Sequence, residues 1–282
     1  MAIIDGKLLA QNIKDSLKQE LEVIKKKTNK SPKLTVILVG DFAPSKIYVK
    51  NKEKSATEIG IQSEVIRLPQ EVSEQELLKK IETLNTDQSV NGILVQLPLP
   101  KQINKEKIIN AINIGKDVDG FHPYNVGCLS SNTGGVVPCT PLGCLYLIQS
   151  VEKNLRGLNA VIIGRSNLNG KPMANLLLKE DCTVTIVHSK TKNIKEICQG
   201  ADILVAAVGV PNLVKKDWVN KNMIIIDVGI NKVNDKIVGD VAFDEVKDKV
   251  KAITPVPGGV GPMTIACLLK NTVESFKRHL NG

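Results

Sequence analysis

The chain has 282 residues, 42% of them apolar and 24% charged, which is globular composition and length enough for two domains. No run of ~18 uncharged apolar residues occurs, so a helical membrane span is excluded, and Asp5 stands where a secretory signal would continue its apolar core, so a cytoplasmic protein is expected. The formal charge is +9, yet only four of the 38 basic residues are arginine (Arg67, Arg156, Arg165, Arg278) and aromatics make up 3%; bidentate phosphate recognition and base stacking are poorly supplied, and no nucleic-acid partner is expected.

Residues 6–27 place Leu8, Leu9, Ile13, Leu17, Leu21 and Ile24 at helical spacing. Leu34–Val39 is a short apolar strand ending in Gly40-Asp41, and a helix is expected from about Pro44 to Glu58, then a strand at Ile61–Leu68. Ser73-Glu-Gln-Glu76 is a capping box opening the next helix. Gly92–Leu97 reads as another strand, stopped by Pro98 and Pro100. Residues 115–140 lack clear periodicity and read as a hinge. Beyond it come a helix at 141–153, strands at Ala160–Gly164, Thr183–Val187, Ile203–Val208 and Met223–Val228, and a last helix from Pro262 to about His279. Strands alternating with helices give an α/β fold, with mostly parallel sheets covered on both faces. The six cysteines (128, 139, 144, 182, 198, 267) contain no Cys-x-x-Cys pair, and with three histidines no metal site is expected.

Strand Ala160–Ile163 runs into Gly164-Arg-Ser-Asn-Leu-Asn-Gly170-Lys-Pro172. Gly164 suits a tight turn after a buried strand, Gly170 suits a helix packed close to the sheet, and Pro172 fits a first helical turn. Free N–H groups at such a helix start attract a pyrophosphate. The Gly-x5-Gly spacing departs from Gly-x-Gly-x-x-Gly, so the strand–turn–helix context carries the dinucleotide reading. The second strand ends in His188-Ser-Lys-Thr191, with no carboxylate to accept from a ribose 2′-OH. Arg165, Ser189 and Lys190 can hold a 2′-phosphate instead, which selects NADP.

Tyr48 and Lys52 stand at i, i+4 on the helix expected at 44–58 and share a face. Lys50 and Lys54 point about 160–200° away and are expected in solvent. Taken alone, the pair is an ordinary surface couple. In context, Ser45–Lys54 resembles the signature of the bifunctional methylenetetrahydrofolate dehydrogenase/cyclohydrolase family. The same resemblance extends over Asn91–Pro100, Lys116–Pro123, Pro138-Cys-Thr-Pro141, Gly164-Arg-Ser166 and Pro255–Thr264, in the family's order.

The resemblance implies two α/β domains around a cleft, with a folate-binding catalytic domain at 1–139 plus 262–282 and a Rossmann-like NADP domain at 140–261. It implies a catalytic lysine at Lys52, with Tyr48, Gln96 and Asp119 completing the catalytic set. Folate contacts fall on those residues and on Val95, Leu97, Pro257, Gly258, Gly259, Val260 and Gly261. Cofactor contacts fall on Gly164, Arg165, Ser166, Ser189 and Ile230. Oxidation of methylenetetrahydrofolate, then hydrolysis of the methenyl product, and a homodimer formed through the nucleotide-binding domain are the expected properties.

These residue types suit that chemistry. One carboxylate, Asp119, can accept from the two-donor pterin edge, while Asp117 is expected to be a turn residue before Gly120. A neutral amine at Lys52 can activate water and return a proton, a role favoured by burial. Two departures from the family pattern stand out: Asp41-Phe-Ala-Pro-Ser45 leads into the catalytic helix, and Asn169 replaces an apolar residue before Gly170. Short-chain dehydrogenases also use Tyr-x-x-x-Lys, but with the glycine turn first and the pair after it; here Tyr48 precedes Gly164.

Overall fold

Uninterrupted β-branched and leucine runs mark the centres of two sheets, because only a strand covered on both faces can be apolar at every position. The computed structural model describes residues 2–281. In chain order, β1 (Ala2–Ile3), α1 (Gly6–Thr28), β2 (Lys33–Val39), α2 (Ala43–Glu58), β3 (Gln62–Leu68), α3 (Glu74–Thr86) and β4 (Gly92–Val95) come first. Three helices follow, α4 (Lys105–Ala111), α5 (Pro123–Ser131) and α6 (Cys139–Gln149). Then come β5 (Asn159–Ile163), α7 (Gly170–Lys179), β6 (Thr183–Val187), α8 (Ile194–Gln199), β7 (Ile203–Ala206) and β8 (Ile224–Asp227). A hairpin of β9 (Asn231–Val233) and β10 (Lys236–Val238), then α9 (Phe243–Val246), β11 (Ala252–Ile253) and α10 (Val260–Asn281) complete the chain.

Two compact units result. One holds residues 1–11, 129–132 and 138–267, and the other 12–128, 133–137 and 268–282. The first eleven residues fall with the larger sheet because β1 pairs in parallel with β11 at its edge. Its six strands run in the order β1-β11-β8-β7-β5-β6, all parallel. The strand order reverses between β5 and β7, the switch point outside which such sheets place their ligands. Its core packs Val161, Ile163, Leu204, Ile225, Val246 and Ile253.

The other unit has three parallel strands in the order β3-β2-β4. Central β2 is buried at six of its seven positions, whereas edge strand β3 alternates toward solvent. Beyond β4, Asp117 bridges Ile93 in parallel, so the segment from Lys116 continues the sheet edge. Lys116, 4% exposed, donates to the carbonyls of Leu84, Asn85 and Asp87 at the C-terminal end of α3. A buried ammonium is thereby satisfied by the carbonyls that a helix end leaves without partners.

Three expectations are corrected. The stretch 115–140 contains α5, whose buried face is too short for periodicity to register. The strand expected to reach Leu97 stops at Val95. The last helix starts at Val260, not Pro262, so Val260 and Gly261 form its first turn. The capping box is present in full: Ser73 Oγ accepts from the Glu76 N–H at 3.2 Å, and Glu76 accepts from the Ser73 N–H at 3.0 Å. Replacing Ser73 by Ala is expected to lower the unfolding free energy by about 1 kcal/mol in urea denaturation, and an unchanged midpoint would contradict this.

Candidate active site

Helix α2 has a weakly amphipathic sequence, but it buries Ser45, Val49, Lys52 and Ala56 along one line at i, i+4, i+7 and i+11. Lys52 is therefore carried inward, to 7% exposure, while Lys50 and Lys54 face solvent. The Lys52 Nζ donates to Gln96 Oε1 at 3.0 Å. Gln96 sits just past β4, its backbone N–H held by the Ile37 carbonyl of β2 and its side-chain amide donating to the Leu97 carbonyl at 2.7 Å. Gln96 thus cannot turn its amide over without losing that bond, and its oxygen stays aimed at Lys52. Tyr48 lies one helical turn before Lys52, half-buried, and burial pushes its phenol above the ordinary range. A protonated phenol is a hydrogen-bond donor at neutral pH.

The edge segment at Asp117 brings Asp119 to the same end of the sheet, two residues beyond the bridge to Ile93. A recess is lined by Ile93, Val95, Leu97, Ile112, Asp117, Asp119 and Phe121. Asp117 is itself 2% exposed and accepts from Gly120 N–H, His122 N–H and the Asn125 amide, which makes it the organiser of the turn. From the final helix, Asn271 donates to the Val118 carbonyl at 2.9 Å, and Ser275 donates to the Asn91 and Gly115 carbonyls. These bonds fix the backbone that leads into Asp119, at Gly115 and Val118. Phe121, Lys116, Asn271 and Ser275 were not singled out from sequence; the polar residues Asn271 and Ser275 inside an otherwise apolar helical stripe are the signal for two of them.

In the other unit, Gly164 follows β5 with φ +120°, a conformation that favours glycine, and a Cβ there would strike the Ala207 carbonyl. A Cβ on Gly170 would likewise strike the Gly164 carbonyl. Helix, strand and turn therefore pack backbone to backbone, as a cradle for a pyrophosphate requires. Ser166 Oγ accepts from the Asn169 N–H at 3.1 Å and so caps α7, a task that Asn169 itself does not perform with its side chain. Arg165, Ser166, Ser189 and Lys190 are exposed, as is Ile230 at 51%. No acid closes β6; Val187 is followed by His188, whose Nδ1 accepts from the Lys190 N–H. The residues present fit a dinucleotide with a 2′-phosphate.

The loop at Pro257, Gly258 and Gly259 belongs to the same unit as Gly164, whereas Tyr48, Lys52, Gln96 and Asp119 belong to the other. The altered lead-in starts α2 at Ala43, with Phe42 as an uncapped N-terminus, Pro44 in the first turn and Asp41 paired with Lys46 at 2.6 Å. Among the described residues no group of histidines, cysteines and acids could hold a metal ion, and no helix is long and apolar enough to cross a membrane.

A doubly wound sheet with a glycine cradle, together with a buried amine held by a strand-end amide, defines a dinucleotide-dependent enzyme with a second α/β unit for its substrate. The tetrahydrofolate dehydrogenase/cyclohydrolase catalytic-domain model matches residues 4–119, and the NAD(P)-binding-domain model of the same enzymes matches residues 138–280. The chain is 64% identical over 278 residues to the bifunctional protein FolD of Pelagibacter ubique, covering 99% of each. A crystal structure of the bifunctional FolD methylenetetrahydrofolate dehydrogenase/cyclohydrolase from Campylobacter jejuni superposes with TM-score 0.96 at 50% identity, covering 99% of both chains. The Trypanosoma brucei enzyme, crystallised with NADP cofactor and inhibitor, gives TM-score 0.97 at 36% identity, covering 100% of this chain and 99% of that one. The chain belongs to the tetrahydrofolate dehydrogenase/cyclohydrolase family.

One carboxylate outside the expected set closes β8. Asp227 is 3% exposed, and burial, the largest influence, pushes its carboxyl up to about 6 against the pull of three backbone donors. Its folded-state value thus lies above the ordinary 3.8, so its protonation favours the fold below that value and this contribution is lost as pH rises through about 6. In Asp227→Asn the stability lost between pH 4 and 7 should shrink by up to about 3 kcal/mol, measured by urea denaturation across that range; an unchanged pH slope would contradict the assignment.

Proposed function

We propose that the chain oxidises 5,10-methylenetetrahydrofolate to the 5,10-methenyl form with NADP and hydrolyses that product to 10-formyltetrahydrofolate, with Lys52 as the proton-transferring group. The observation that carries this reading is the 3.0 Å contact between the Lys52 amine and Gln96 at the carboxyl end of a parallel strand. Bound NADP would supply the acceptor for the hydride that leaves the methylene carbon. Gly164, Arg165, Ser166, Ser189 and Ile230 hold it, with Arg165, Ser189 and Lys190 at the 2′-phosphate.

Asp119 accepts from the pterin N–H and amino group, and Tyr48 lays its ring along the aminobenzoyl part. Val95, Leu97 and the loop Pro257–Gly261 supply apolar and main-chain contacts to folate. Hydrolysis adds one water to the methenyl carbon and breaks one carbon–nitrogen bond. Lys52 takes a proton from the attacking water and returns it to the departing nitrogen, so the amine ends as it began. The second water proton is released to solvent as the hydroxyl becomes the formyl carbonyl and the cationic substrate becomes a neutral product. Gln96 keeps the amine pointed at the one-carbon unit throughout. The same reading gives a cytoplasmic homodimer formed through the nucleotide-binding unit, for which a sedimentation coefficient of the monomer at micromolar protein would be the contrary result.

Lys52→Met should lower hydrolysis of supplied methenyltetrahydrofolate at least ~100-fold while the dehydrogenase falls less, because hydride transfer needs alignment more than proton transfer. Asp119→Ala should raise the folate KM roughly tenfold or more in both reactions. Full hydrolysis by Lys52→Met in a paired spectrophotometric assay would overturn its role. Arg165→Ala should cut the preference for NADP over NAD by about tenfold, since a charge-assisted bond to phosphate is lost. An intact preference would remove Arg165 from the 2′-phosphate.

A further inference from the structure

The six-stranded unit buries two carboxylates that neither reaction uses. Asp227, the last residue of β8, accepts at Oδ1 from the Gly229 and Asp240 N–H groups and at Oδ2 from the Val241 N–H, each at 2.9 Å. Its own N–H donates to Thr254 Oγ1 just beyond β11. Asp240, 0% exposed, accepts at Oδ2 from the Val208 and Gly209 N–H groups at 2.8 and 3.0 Å, and at Oδ1 from the Asn231 amide at 2.9 Å. Each carboxylate rests on a glycine that has no room for a side chain: a Cβ on Gly239 would strike Asp227, and one on Gly229 would strike Asp240.

The segments held in this way are those at the carboxyl ends of β7 and β8. Ile230 lies between Gly229, bonded to Asp227, and Asn231, bonded to Asp240. Val208 and Gly209 directly follow Ala207, whose carbonyl lies against Gly164 in the glycine turn. One pair of acids therefore ties the loop after β7 to the loop after β8, and the β7 loop packs closely against the glycine turn after β5 at the switch point.

We propose that Asp227 and Asp240 are positioning residues for the dinucleotide, holding Val208–Gly209 and Gly229–Asn231 preset so that NADP binds without having to order them. Preorganised loops remove an ordering cost that binding would otherwise have to overcome. This inference rests on reading the chain as an NADP-dependent folate enzyme. A buried acid kept only for rigidity would affect both reactions alike. A rim for the cofactor affects the one reaction that uses NADP, because hydrolysis of the methenyl compound consumes only water.

The geometry also grades the variants. All three donors on Asp227 are backbone N–H groups that cannot turn over, so Asp227→Asn sets an amide N–H against one of them. In Asp240→Asn, by contrast, Asn231 can turn its own amide to accept, and the network closes again. Steady-state kinetics on purified wild type and variants should show the KM for NADP raised roughly tenfold in Asp227→Asn and less than about threefold in Asp240→Asn. Hydrolysis of supplied methenyltetrahydrofolate without NADP should stay within about twofold of wild type in both, and the exposed Asp244→Asn should match wild type throughout. An unchanged KM for NADP in Asp227→Asn, or equal loss of both activities, would overturn the proposal. Should Asp227→Asn fail to fold, Asn231→Ala, which takes one donor from Asp240, should raise that KM about threefold, and no rise would equally overturn it. Wild type that turns over neither folate would instead overturn the functional reading.

Discussion

Lys52 has to be inside the protein and still be reachable by its partner, and much of the smaller unit follows from that. A lysine stem can be buried among apolar neighbours at little cost, but its amine needs an acceptor when water is excluded. Helix α2 turns the residue inward beside Val49 and Ala56, and Gln96 supplies the acceptor from the end of β4. Gln96 can do so because β4 pairs with β2 and ends at Val95, directly before it, and because its amide is fixed by the Leu97 carbonyl. The final helix matters for the same reason: Asn271 and Ser275 bind the Val118 and Gly115 carbonyls in the segment that leads into Asp119.

Three interior charged groups are met in the same way. Lys116 is met by three helix-end carbonyls, Asp117 by two backbone N–H groups and an amide, and Asp227 by three backbone N–H groups. Each of these three is thus spent mainly on irregular backbone that no sheet ladder could satisfy, at a place where a loop must hold one shape. Surface ion pairs such as Lys46–Asp41 and Lys232–Asp235 are exposed and contribute little by comparison.

The strands were legible because β2, β5, β7 and β8 are continuous apolar runs bounded by glycine, proline or a change to polar residues. Capping at Ser73 was legible because both of its bonds are local. The i, i+4 spacing placed Tyr48 and Lys52 on one face, but only tertiary pairing of β2 with β4 brings Gln96 to the amine, across 44 residues of sequence. Helix α5 escaped notice since a nine-residue helix with only Asn125 and Leu129 buried has little periodicity to read. Asp227 was visible as the only acid in an apolar strand, yet its partners lie thirteen and fourteen residues on, beyond a hairpin that periodicity does not reveal.

The claim that Lys52 is the proton-transferring group is tested most directly by a crystal structure of the protein with an unreactive methenyltetrahydrofolate analogue and the oxidised cofactor. The account predicts the Lys52 amine within ~3 Å of the one-carbon unit, or of a single water poised against it, with Gln96 Oε1 still on the amine. An analogue bound with its one-carbon unit more than about 6 Å from that amine, and with no water between them, would contradict it.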